Sequence, residues 1–478
     1  MIPNRRFTLL VLFGLLAVSP RGLSQSAPAA GSDATSLPAG LAGSIDSAAE
    51  KILDKTGVPS ASLTLVQQGH IVYTRAYGKA RLEPPVPAAP ELRYEIGSIS
   101  KQFTAAALLL LQEDGKLNLD DPLSKYSPDL TRASEVTLRM ILSHTSGYQD
   151  YWPEDYVMLP MLQPVSTSHI LDIWAKKPLD FDPGTKWQYS NTNYVIAAAV
   201  IEKVSGQPYF RFIQSRILDP IGIHSAIDAD TGEPLAADAE GYYRRALGPL
   251  RPAPKEGKGW MFGAFELAMT PRDLALWDIS LINRTLLKPE SYTQMFTSFK
   301  LKDGTDTRYA LGVSTAPHNG HAALSHGGEA SGFVSENIVF PEDHAAIAVF
   351  TNQDASPAAA LIARDVAELV LHSAAAPASS ANESEALAVF TGLQNGKIDR
   401  ALLTPNCSAY FSQQAVDDFS SSLRPLGSPT SFQMTREESR GGMTQRVFRA
   451  EFATRRLTIN TYLMPDGKYE QYLVTPTE

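Results

Sequence analysis

Residues 98–111 read Ser98-Ile99-Ser100-Lys101-Gln102-Phe103-Thr104-Ala105-Ala106-Ala107-Leu108-Leu109-Leu110-Leu111. Propensity makes the segment after Lys101 a helix, its apolar character nearly all round makes that helix a buried one, and Gly115 stops it. Ser98 and Lys101, three residues apart at its start, project from one face and can share a proton, as a nucleophile and its base do. At a helix N-terminus the macrodipole and free N–H groups also favour the negative charge of an attacking alkoxide. A serine in that position serves equally well as a plain cap, so the pair takes its meaning from what surrounds it.

Working outward, a helix is expected over Ile45–Lys55. Ser60–Val66 and Ile71–Tyr77 alternate about Gln68-Gly69 as a β-hairpin. A long helical and loop-rich stretch follows the Ser98 helix. Strands return only at Ala322–His326, Gly332–Phe340 and Ala345–Thr351, the last two joined by a Pro341-Glu342-Asp343 turn, and a helix over Pro357–His372 closes the unit. Strands at both ends with helices between predict an α+β architecture: one antiparallel sheet assembled from the two ends, flanked by helices, with a mostly helical insertion. Ser98 then lies at the seam between sheet and insertion, where pockets form.

The chain has 478 residues, 44% of them hydrophobic and 19% charged, which suits a folded protein too long for one core. Its net charge of −9 and lack of any Lys/Arg run exclude a nucleic-acid footprint. Arg5-Arg6, an apolar run from Phe7 to Val18 and small residues at Gly22 and Ser24 read as a secretory signal peptide over residues 1–24, too short to span a bilayer. The expected product is exported, periplasmic or extracellular, without a membrane span. A disordered leader over 25–38 and a hydrolase domain over 39–373 follow. A single cysteine, Cys407, excludes an internal disulfide and reads as a packed small residue.

Residues 374–385, rich in Ala, Ser and Pro, read as a linker. Beyond it, over 386–478, helix-like segments at Leu387–Leu402 and Ala415–Leu423 precede strands at Ser431–Glu437, Thr444–Phe452, Leu457–Tyr462 and Tyr469–Val474, with turns at Gly441-Gly442 and Asp466-Gly467. This small α+β layout resembles the cone-shaped domain of the nuclear-transport-factor-2-like superfamily.

Two further elements carry chemistry. Tyr189-Ser190-Asn191, in a loop before a helix over Val195–Val204, offers a phenol that can ionise near cations, and an amide that can hold Lys101 and a substrate amide. Ser325-His326-Gly327-Gly328-Glu329 closes a predicted strand, and consecutive glycines there permit close approach of a ligand. If that strand edges the cleft, the backbone N–H groups of Ser98 and Glu329 make an oxyanion hole. There is no Gly-x-Ser-x-Gly elbow. His318, His321 and His326 lack the spacing and carboxylate partner of a metal site, and the reading calls for no metal or other cofactor.

With these motifs in one order, Leu41 to His372 resembles the serine β-lactamase-related hydrolases: class C β-lactamases, D-alanyl-D-alanine carboxypeptidases, D-aminopeptidases and esterases. Leu142-Ser143-His144-Thr145-Ser146-Gly147 and Gly263–Leu274 match further segments of that family. The resemblance implies the β-lactamase/transpeptidase-like fold, an acyl-enzyme at Ser98, proton handling by Lys101 and Tyr189, orientation by Asn191, a strand edge lined by His326-Gly327-Gly328, and a structural His144. His-Gly-Gly stands where Lys-Thr-Gly is usual, removing a cation that helps bind a substrate carboxylate. The histidine suggests either pH-sensitive recognition or a substrate lacking that carboxylate. Phe265-Glu266 is expected to narrow the cleft, and Tyr148, Tyr151 and Trp152 to floor an apolar subsite. The expected function is a serine hydrolase acting on a small peptide, D-amino-acid peptide or ester, with weak β-lactamase activity third. An inactive ligand-binding scaffold is the competing reading, opposed by the joint presence of Ser98, Lys101, Tyr189 and Asn191.

Overall fold

The computed structural model describes residues 37–153, 157–231, 237–245, 248–371, 381–440, 443–453, 455–464 and 466–476. The expected signal peptide, most of the expected leader and the Gly441-Gly442 turn lie outside these.

Helix α1 (Ala39–Thr56) begins six residues before the expected start and ends at Gly57 in the left-handed conformation. Strands β1 (Ser60–Gln67) and β2 (His70–Arg81) form the expected hairpin, and the two-residue strand β3 (Val86–Pro87) adds to the β2 edge. Helix α2 (Ser100–Glu113) enters the core, with Ser100 through Leu111 all buried. Helices α3 (Asn191–Ser205) and α4 (Pro271–Asn283) belong to the long insertion. Strands β4 (Leu324–Ala330), β5 (Phe333–Phe340) and β6 (Ala345–Thr351) and helix α5 (Ala358–Val370) return to the sheet.

The sheet order is β3-β2-β1-β6-β5-β4, with all these pairings antiparallel. β1 and β6 pair from Ala61↔Thr351 to Val66↔Ala346, so the two ends of the domain meet at the centre of the sheet. β6 is buried along its whole length and β1 nearly so, as strands covered on both faces must be. One face packs on α1 and α5 through Ile45, Leu63, Ile347 and Ile362; the other faces the larger core of α2, α3 and α4.

Three expectations are corrected. β4 does not stop at His326: it starts at Leu324 and runs through Gly327, Gly328 and Glu329 to Ala330, paired throughout with β5. Asn191 lies in the first turn of α3, not in a loop, because Ser190 is extended and the helix starts after it. The linker reading fails over residues 381–385, which form the first turn of a helix (Ala381–Gln394) stabilised by Glu383 accepting from Met434 N; residues 374–380 lie outside the described residues. In the C-terminal region, helices over Pro405–Tyr410 and Gln413–Leu423 accompany a four-stranded antiparallel sheet of Ser431–Arg440, Met443–Glu451, Arg456–Leu463 and Tyr469–Pro476. Phe390, Phe448, Ile459 and Tyr472 fill their shared core, and Cys407 is buried in it.

Candidate active site

Ser98 sits on a 3-10 turn, Gly97–Ile99, immediately ahead of α2 rather than on the helix itself. Two glycines let this turn dock on the edge strand. Gly97 has φ +54°, and a Cβ there would lie 2.3 Å from Glu329 N; a Cβ on Gly328 would lie 1.9 Å from Ile96 O. Ser335 Oγ donates to Ile96 O at 2.8 Å and ties the same turn to β5. The backbone at Ser98 is thereby brought beside that of Glu329.

Lys101, one helical turn on, is fully buried. Its Nζ lies 2.8 Å from Ser98 Oγ, 2.8 Å from Asn191 Oδ1 and 3.0 Å from Ala264 O. The last two atoms can only accept, so they fix two N–H bonds, and the third position of Nζ faces the serine. Burial pulls the ammonium down to about 7, while the nearby Asp150 carboxylate opposes that shift. A neutral amine in this cage points its lone pair at the Ser98 hydroxyl. The rings of Tyr189, Tyr194 and Phe265 surround Nζ at 4.9, 5.4 and 5.5 Å.

Tyr189 OH donates to Ser98 Oγ at 2.8 Å. The expectation that this phenol ionises is corrected: burial pushes it above its ordinary value, so it is a neutral donor. His144 sets its place, since His144 Nδ1 accepts from Ser190 N at 3.1 Å and the imidazole stacks 4.3 Å from the Tyr189 ring. Burial also keeps His144 neutral.

Asn191 holds Lys101 as expected, but both hydrogens of its Nδ2 are engaged within the protein, by Asp150 Oδ2 at 3.3 Å and Trp152 O at 3.2 Å. Asp150 was not anticipated. It also accepts from Asn191 N at 2.9 Å and from Trp152 N at 3.2 Å, and burial raises its carboxyl. Its only mark in the sequence is its place three residues after Gly147.

A cavity of about 410 Å³ opens on Ser98, Tyr189 and Asn191, with His326, Gly327, Gly328 and Glu329 along one wall. His326 Nδ1 donates to Gly327 O at 2.5 Å, so Nε2 accepts from Tyr309 OH at 2.8 Å. Burial and the Lys101 charge pull the imidazole down to about 4; it is a neutral group and does not replace a cation. Trp152 and Phe265 line the cavity and pack edge to face at 5.1 Å. Tyr148 and Tyr151 do not: both are buried in the core, donating to Thr131 O and Trp260 O. Glu266 also leaves the cleft, accepting from Gly263 N at 2.7 Å in the interior. The Gly263–Leu274 segment leads into α4 through a capping box between Thr270 and Asp273. His318 and His321 pair through their backbones, and His321 contacts Asp343 at 2.9 Å. Among the described residues no group of His, Cys, Asp and Glu is arranged to hold a metal ion.

Residues 45–371 match the family model described as beta-lactamase. A Bacillus subtilis protein, PbpX, provisionally named a penicillin-binding protein, is 29% identical over 61% of this chain and 70% of its own length. Protein flp of Staphylococcus aureus is 27% identical over 69% of this chain and 66% of its own. Among solved structures, the D-amino acid amidase of Ochrobactrum anthropi SV3, complexed with L-phenylalanine amide, has a TM-score of 0.59 at 25% identity and covers 69% of this chain and 96% of that one. The octameric penicillin-binding protein homologue from Pyrococcus abyssi, at 22% identity and TM-score 0.62, shares the fold over 91% of this chain and 96% of that one. With the sheet assembled from both ends and the serine–lysine turn at its edge, the chain has the β-lactamase/transpeptidase-like fold and belongs to the beta-lactamase family.

Proposed function

We propose that this protein is an exported serine hydrolase that cleaves small amides or peptides through an acyl-enzyme at Ser98, with esters as easier substrates of the same site. The observation that carries the reading is the double bridge at Ser98 Oγ, 2.8 Å from both Lys101 Nζ and Tyr189 OH. Neutral Lys101 takes the hydroxyl proton as Oγ bonds to the substrate carbonyl carbon, and the Ser98 and Glu329 N–H groups receive the developing oxyanion. As the tetrahedral adduct collapses, the carbon–nitrogen bond breaks, Tyr189 gives its proton to the departing nitrogen, and Lys101 returns one to Tyr189. Water attacks the acyl-Ser98 ester by the reverse proton path and releases the acid. A phenol held neutral favours amides, whose leaving group needs a proton more than that of an ester. The likeness to a D-amino acid amidase supports the same direction. Loss of the usual lysine from the third motif argues against efficient β-lactam hydrolysis.

The C-terminal region, from the helix at Ala381 onward, is proposed as a separate nuclear-transport-factor-2-like module. The test of the catalytic reading is intact-mass labelling with a fluorophosphonate and, separately, a penicillin. A fluorophosphonate adduct absent from Ser98→Ala is the expected result, and no adduct on the wild-type protein overturns the reading in favour of an inactive scaffold.

A further inference from the structure

Gly327 leaves room on the wall of the Ser98 cavity, and a carboxyl from the next strand stands beside that room. Gly327 of β4 pairs directly with Glu336 of β5, so the two share one face of the sheet. A Cβ on Gly327 would meet Glu336 Oε2 at 3.5 Å and nothing closer, and both residues line the cavity.

The other ionisable side chains of this wall are engaged within the protein. Asp150 accepts from Asn191 N and Trp152 N, Tyr189 donates to Ser98, and His326 is held by Tyr309. Glu329 accepts from Ala355 N at 2.9 Å and Asp354 from Gly332 N at 2.6 Å. Glu336 alone among the described ionisable residues lining the cavity makes no hydrogen bond or ion pair, and it is only half-buried. No lysine or arginine lines the cavity with it, and Lys101, behind the wall, is bound to Ser98, Asn191 and Ala264.

Burial raises the Glu336 carboxyl to about 7, with no partner to oppose it, so both of its forms are present near neutrality. A substrate carboxylate can be met only by the protonated form, through its single O–H. A primary amide suits both forms: it gives an N–H to the ionised carboxyl, and it exchanges an N–H and a carbonyl with the protonated one.

We infer that Glu336 determines specificity: it pairs with a primary amide at an end of the substrate that is not cleaved, and it turns away substrates that carry a carboxylate there. This rests on the serine-hydrolase reading and deepens it. It also accounts for a third motif without a cation, since the wall beside Gly327 suits an uncharged polar group.

The experiment uses the full mature protein and two matched pairs of substrates, each pair differing only in a terminal carboxylate or primary amide. One pair is N-acetyl-Phe-Ala and its C-terminal amide; the other is N-succinyl- and N-succinamoyl-Phe p-nitroanilide, each in the stereochemical form cleaved faster. The protonated fraction of Glu336 falls about tenfold between pH 6 and 8, so the amide-to-acid ratio of kcat/KM should rise about tenfold over that range in at least one pair. Protonation of Lys101 affects both members of a pair alike and cancels from the ratio. Glu336→Gln should make the ratio independent of pH, and Asp354→Asn should keep the rise. A merely structural defect would lower both members together and leave the slope in place. Fluorophosphonate labelling of Ser98 is measured on the same samples. Labelled protein whose ratios are flat in both pairs, that cleaves neither pair, or whose slope survives Glu336→Gln overturns this inference alone, whereas no labelling of the wild-type protein overturns the reading beneath it.

Discussion

Lys101 can act as a base near neutrality because burial outweighs the nearby Asp150 carboxylate, and this gives the residue a pH signature. With its amine held at about 7 by burial, kcat/KM is expected to fall as pH drops through 7, because the protonated ammonium cannot accept the Ser98 proton. Asp150 opposes that burial by favouring the ammonium, so Asp150→Asn should move the acid limb to lower pH. A limb that stays in place in the variant, or an activity that rises toward acid, excludes Lys101 as the titrating base. Ser98, Lys101, Tyr189 and Asn191 were legible in the sequence because each stands in a short motif tied to an element start. Asp150 was not, since its role consists of hydrogen bonds to Asn191, 41 residues away, and a lone aspartate in a loop carries no periodic signal. The protonation state of Tyr189 was misread for a related reason: burial, which decides it, is a property of the packed chain.

At the scale of elements, the edge strand β4 and the Ser98 turn act as one unit whose spacing is set by glycine. The two motif glycines face different neighbours. A methyl group on Gly328 meets Ile96 O at 1.9 Å and Ser335 Oγ at 2.4 Å, whereas one on Gly327 meets nothing closer than Glu336 Oε2 at 3.5 Å. Gly328→Ala is therefore expected to lose about 1–3 kcal/mol of stability, as overpacking does, together with most Ser98 labelling. Gly327→Ala should keep both within a small factor. Thermal unfolding and labelling rates check the pair, and equal effects would mean that the strand and turn are not in contact as described. The sequence announced the glycines but not which one matters, because strand direction was read as ending at His326 when pairing with β5 carries it to Ala330. The start of α3 slipped for the same kind of reason. Val195 begins the clearly apolar run, yet the helix is set by the extended Ser190 and starts at Asn191.

For the whole molecule, the assembly of one antiparallel sheet from both ends was legible because short alternating or wholly apolar runs bracket a long helical stretch, whereas the order of its strands came only with the structure. What the C-terminal region does was not legible, since a layout without a motif says nothing of chemistry. Its core is separate among the described residues: Ala386 to Tyr472 fill one cluster, and the two clusters of the family-matched region draw only on residues before 372. The family match ends at 371. A chain ending at Leu371 therefore keeps both of its own cores, every residue of the Ser98 cavity and every hydrogen bond to Lys101. It is expected to fold and to be labelled at Ser98 at close to the full-length rate, with its own unfolding transition. A truncated protein that folds but loses labelling would show that the C-terminal region acts on the site, and one that fails to fold would show that the two cores stabilise each other.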